Sequence, residues 1–146
     1  MRFLPILASI LAPLAAAIEI THPNDKTQVA AGDDLKVTWT FVDTDPQTMS
    51  LYLVNFVEYP PIYVPLAIDV KTHKANTEVH IPCDILPTEG YQINAINGTN
   101  VYVIYAQSAH FRISEPRKGR ECVHDPDTVK RAQATSTVYV TVTPTA

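Results

Sequence analysis

The chain has 146 residues, 46% hydrophobic and 18% charged, with a formal net charge of −4. That balance provides no cationic field to recruit nucleic acid or an anionic membrane surface, and the single basic cluster, Arg117-Lys118-Gly119-Arg120, marks a solvated boundary. The length suits one domain with extensions, large enough for a modest core.

Met1 to Ala17 holds one cation (Arg2), an apolar run from Phe3 to Leu14 and three closing alanines. This is the pattern of a secretory signal, and it is too short to span a bilayer. Residues 1–17 are expected to be removed, leaving Ile18 as the first residue. From there the ruling pattern is alternation with period two. A first strand is predicted over Ile18–Thr21. Asp34–Phe41 sets Leu35, Val37, Trp39 and Phe41 on one face and Lys36, Thr38 and Thr40 on the other, as a half-buried strand requires. Further strands are predicted over Ser50–Val57, Tyr63–Val70, Thr77–Ile81, Tyr91–Ile96, Val101–Ala106 and His110–Ser114. Turn-rich pieces separate them: HPND, AGDD, DTDPQT, YPP, PTEG and NGTN.

About seven or eight short strands with no helical pattern between them predict an all-β, immunoglobulin/fibronectin-like antiparallel sandwich over residues 18–115. Residues 116–146 form an extension, Ser/Thr-rich from 132. Within Leu86–Ile93, LPTEGYQI, Tyr91 is placed as a tyrosine corner, a late-strand phenol whose hydroxyl turns back to an upstream backbone group. The stretch from Gly90 to Ser114 contains no acidic residue. It reads as the last three strands, with Tyr91, Ile93, Val101, Val103, Tyr105, Phe111 and Ile113 feeding the core and Gln92, Asn94 and Gln107 as structural amides.

Export changes the reading of the two cysteines, because an oxidising compartment favours a disulfide between Cys83 and Cys122 over a metal or redox thiol. Asn97-Gly98-Thr99 is both an N-glycosylation acceptor and a hairpin turn. Lys130-Arg131 matches a dibasic processing site.

No catalytic constellation is expected, nor any cofactor or metal. Asp43 and Asp45 in DTDP, with Asp33 and Asp34 one strand earlier, offer oxygen ligands, but Asx residues ahead of proline initiate turns by bonding their own backbone. His22, His73, His80, His110 and His124 fall in no paired ligand motif. Ser108 and His110 share a strand face without the third, orienting group that nucleophilic catalysis needs. The carboxylates lie in predicted turns, and no spacing marks a pair for glycan hydrolysis.

Three stretches together resemble a known family. Ile18–Asn55 carries a proline after the first strand, an Ala-Gly turn, a Val-x-Trp strand, a DxDP loop and Leu-Tyr-Leu-Val-Asn; LPTEGYQIN (Leu86–Asn94) and YAQSAHFRI (Tyr105–Ile113) follow in order. The chain is similar to the fungal yeast cell-wall-synthesis N-terminal domain family, which also covers Ser/Thr-rich glycosylphosphatidylinositol-anchored membrane proteins. The resemblance implies an immunoglobulin-like sandwich, export, and a non-catalytic part in wall glucan (β-1,6-glucan) assembly or matrix organisation. Its partner would be a wall polysaccharide or a wall or matrix protein. Tyr59 and Tyr63, beside prolines in the irregular stretch Glu58–Lys74, are the candidate sugar-stacking residues, because an aromatic face buries C–H surface while the hydroxyl stays wet. The alternative is a secreted, effector-like interaction protein that engages a partner protein through the sandwich surface. With only AQATSTVYVTVTPTA after Lys130-Arg131, the expected location is extracellular or wall-associated, without an anchor signal.

Overall fold

A computed structural model describes residues 17–119. Among them nine strands follow in order: β1 (Glu19–His22), β2 (Gln28–Ala30), β3 (Asp34–Thr40), β4 (Thr48–Asn55), β5 (Ile62–Lys71), β6 (Asn76–His80), β7 (Tyr91–Asn97), β8 (Asn100–Gln107) and β9 (Arg112–Ser114). A single 3-10 turn, Thr72–Lys74, joins β5 to β6. The expected leader, Cys122, Lys130-Arg131 and the Ser/Thr-rich extension lie outside the described residues.

Two antiparallel layers face each other: β1-β3-β6 and β5-β4-β7-β8. The alternation of β3 is realised as read, with Leu35, Val37 and Trp39 buried, and its register sets Leu35 opposite Val79 and Val37 opposite Thr77 on β6. Phe41 departs from the expectation: β3 ends at Thr40, and Phe41 is 36% exposed because the chain has already left the layer.

β4 behaves differently, since every residue from Met49 to Asn55 is buried. Met49, Leu51 and Leu53 enter the main core with Val37, Trp39, Ile81, Ile93 and Ile113. Tyr52 and Val54 point the other way and cluster with Ile96, flanked by Tyr63, Ile68 and Val101. A central strand covered on both faces reads as a continuous apolar run. Each large side chain so buried stabilises the fold by about 1.5–3 kcal/mol relative to exposure. The Trp39 indole N–H satisfies its one polar atom by donating to the Thr72 carbonyl at 2.7 Å.

β2 is an addition to the sequence reading. It pairs in parallel with β9, Val29 opposite Ile113, in an otherwise antiparallel molecule. At three residues it is too short to show a period. The chain crosses from β2 to the other layer through Gly32, whose φ of +84° suits glycine, and Gly32 N–H donates to the Ile81 carbonyl at 2.9 Å.

β8 and β9 are one strand course interrupted at Ser108–His110. Ser108 closes the gap: its N–H donates to the Ile93 carbonyl and its hydroxyl accepts from the Ile93 N–H, both at 2.8 Å. The buried Ser108 is thus a structural hydroxyl. Earlier in β8, Ile104 pairs with Ile96 and Asn100 with Asn97, which places residues 101–103 in a bulge between consecutive rungs of β7. This bulge corrects the expected core assignment. Val103 is 40% exposed and Val101 packs on the outer cluster, because three extra residues break the period that would have turned them inward.

Candidate functional site

At the end of β4, directly after the apolar run Leu51–Val54, the chain buries a polar side chain, Asn55. Its Oδ1 accepts from the N–H groups of Val57 (2.9 Å) and Glu58 (3.4 Å), which turns the chain sharply out of the sheet. Its Nδ2 donates to the Glu89 carbonyl at 3.1 Å. One amide therefore joins the β4–β5 loop to the loop before β7. Sequence reading passed over Asn55, although an amide closing the run Leu-Tyr-Leu-Val is a detectable signal.

The loop before β7 is fixed from two further sides. Tyr91 takes the predicted corner, its hydroxyl donating to the Leu86 carbonyl at 2.6 Å. Arg112 Nη1 holds Glu89 Oε1 at 2.9 Å, and Ile113 N–H donates to the Thr88 carbonyl at 3.0 Å. Gly90 adopts φ +88°, and a Cβ built there would stand 2.7 Å from Val57 Cγ2, so only glycine lets the two loops approach. The β1–β2 loop is closed by Asn24, whose Oδ1 accepts from Lys26 N–H and the Thr27 hydroxyl, each at 3.1 Å.

These loops enclose a cleft of about 890 Å³ at one end of the sandwich. Asp25, Lys26, Glu58, Glu89 and Arg112 supply its charge, His110 adds an imidazole, and Val57 and Phe111 form its apolar wall. Mixed charge of this kind presents acceptors and donors together, the set that polyhydroxylated ligands satisfy. Tyr59 adjoins the cleft residue Glu58 and is 94% exposed. Tyr63 is elsewhere: it is half-buried on the outer face of the sheet, with its ring meeting the Phe56 ring edge-on at 5.4 Å. The structure does not unite the two tyrosines in one platform.

Burial pushes the Tyr91 phenol above its ordinary value, the Asn55 hydrogen bond pulls it down, and the Glu58 charge raises it further. Three of the candidate aspartates have structural partners. Asp45 Oδ2 accepts from Val42 N–H at 2.7 Å, closing a turn, while Asp33 pairs with Arg117 and Asp34 with His80, each at 2.8 Å. Among the described residues no three His, Cys, Asp or Glu side chains form a group that could hold a metal ion. Cys83 lies against Gly32 and is not a free thiol. No helix among the described residues is long and apolar enough to cross a membrane.

Two facing antiparallel layers, a tyrosine corner and loops gathered at one end define an immunoglobulin-like domain. The chain belongs to the Kre9/KNH-like N-terminal Ig-like domain family, which matches residues 22–113. Membership implies a cell-wall-related, non-catalytic role. The chain is similar to the serine/threonine-rich protein adg2 of Schizosaccharomyces pombe, with 35% identity over 70% of this chain and 15% of that protein. It is 30% identical to a GPI-anchored membrane protein of Aspergillus fumigatus, over 77% of this chain and 51% of the relative. It is 38% identical to a GPI-anchored membrane protein of S. pombe, over 60% and 32%. The chain thus spans about half or less of the length of these relatives. No solved structure matches it.

The relatives correct one expectation. An extracellular protein without an anchor was read from the short Ser/Thr-rich extension, yet two of the relatives are named GPI-anchored. The short extension is therefore no ground for an unanchored location, and that reading is withdrawn.

Proposed function

We propose that this chain is a non-catalytic binding module of the fungal cell surface that helps to assemble or organise wall glucan, β-1,6-glucan in particular, by holding the polysaccharide at the loop end of the sandwich. The observation that carries the reading is Tyr59, 94% exposed on the loop that also supplies Val57 and Glu58 to the cleft. An aromatic ring held in water stacks on the C–H face of a sugar, and the adjoining carboxylates and cations bond its hydroxyls. The family supports the location, and the cleft supports a polyhydroxylated ligand. The alternative, a secreted interaction protein, loses the support it drew from an unanchored chain.

Retention of the secreted domain on insoluble wall glucan tests this. Tyr59→Ala is expected to weaken retention about 2- to 10-fold, the range of one aromatic contact. Tyr63→Ala is expected to have the smaller effect, because its ring is half-buried against Phe56. Undiminished retention of Tyr59→Ala overturns the assignment.

We also propose that Cys83 pairs with Cys122, tying the extension to the turn at Gly32 in an oxidising compartment. Intact mass should show no alkylation before reduction and two alkylated thiols after it. Alkylation of both without reductant sinks the pairing.

A further inference from the structure

We propose that Asn97 carries an N-linked glycan whose first sugars lie over the Val101–Ile104 bulge and guard the β8 edge against pairing with a second chain. The four-stranded sheet has two edges, and the chain treats them unequally. β5 carries Pro65, Asp69 and Lys71, two register shifts and a positive φ of 52° at Asp69. These are the devices by which natural sheets blunt an edge. β8 has register shifts of its own but none of the charged or proline devices: from Tyr91 to Gln107 there is no charged residue and no proline. Its bulge and the rung beside it present Tyr102, Val103 and Ile104 at 75%, 40% and 42% exposure. An apolar edge of this composition needs a cover to stay monomeric.

The hairpin supplies one. Asn97 and Thr99 are both exposed in the β7–β8 turn, and nothing lies within 4 Å of where a Cβ on Gly98 would stand, so the acceptor faces open space. Asn100 is paired opposite Asn97, and its Oδ1 accepts the Tyr102 N–H at 3.1 Å, folding the bulge toward the turn. At about 3.3 Å per residue, Tyr102 stands within roughly 7 Å of Asn100 along the chain. A sugar on Asn97 can therefore lay its C–H face on the apolar bulge and keep its hydroxyls in water. In the transfer, the Asn97 amide nitrogen attacks the anomeric carbon of a polyisoprenyl-diphosphate oligosaccharide. The new N–C bond replaces the C–O bond to diphosphate, which departs as the leaving group, and the amide gives up one proton. The glycan then does at β8 what charge and proline do at β5.

The test is the full chain secreted from a yeast host, compared with Thr99→Ala, Asn97→Gln and the wild-type protein deglycosylated after folding. The wild type should lose one glycan mass on amidase treatment and sediment as a monomer. The three unglycosylated forms should self-associate at concentrations at least tenfold lower, and Val103→Lys added to Thr99→Ala should restore the monomer. Absence of a glycan on the wild type overturns the proposal. So does a deglycosylated protein that stays monomeric, or association that Val103→Lys leaves unchanged.

Discussion

Replacing Gly90 with alanine lowers the stability of the sandwich by about 2–4 kcal/mol, combining the cost of a non-glycine residue at positive φ with that of an overpacked contact. The backbone there has φ +88°, and the new methyl would stand 2.7 Å from Val57 Cγ2 and 3.1 Å from Val57 Cβ. At this domain size the melting midpoint falls by on the order of 10 °C or more. Because Val57 belongs to the cleft wall, the β4–β5 loop yields first, and glucan retention should fall even well below the melting transition. Val57→Ala removes the nearer of the two clashing atoms. In that background the cost of Gly90→Ala should shrink, a coupling that a double-mutant cycle reads directly. An unchanged melting midpoint for Gly90→Ala would show that the two loops are not in contact.

Tyr91→Phe removes the hydroxyl that holds the Leu86 carbonyl at 2.6 Å while keeping the ring that packs beside Phe111. Loss of a partly buried hydrogen bond with its acceptor left behind costs about 1–2 kcal/mol, or a melting midpoint lower by roughly 5–15 °C. The same group sets a pH dependence. Burial, the largest cause, raises the folded phenol above its ordinary 10.0. A raised folded value means that the folded state binds more protons, so this stabilisation is whole below about pH 10 and is lost as pH rises through the folded value. Thermal melts from neutral to strongly alkaline pH should show that loss in the wild type and a shallower one in Tyr91→Phe. If the two profiles are parallel, Tyr91 does not carry it.

The glycan proposed at Asn97 and the stack proposed at Tyr59 concern opposite ends of the same sheet. Asn97 lies beyond Ile96, which pairs with Ser50 near the start of β4, whereas the cleft is built at Asn55. A sugar at the hairpin therefore leaves the cleft open, and the two experiments report independently.

What could be read from the chain was whatever local pattern and one-sided burial dictate. Leu35, Val37 and Trp39 alternate because one face of β3 meets the core, and Tyr91 declared its corner because the loop before it and the strand after it are both local. The same rule failed where burial is two-sided or the period breaks. Asn55 falls inside the predicted strand Ser50–Val57, and its hold on Glu89 needs two segments 34 positions apart to meet. β2 has three residues and exists only because β9 runs beside it. Val103 was assigned inward by counting, and the bulge turned it out.

By itself, then, the sequence determined an all-β immunoglobulin-like chain, its family and most of its strands, since period and turn chemistry act over a few residues. The tertiary structure alone decided the cleft, the separation of Tyr59 from Tyr63 and the unequal edges of the sheet. Those depend on loops distant in sequence converging on one end of a packed core, a relation that no local period encodes.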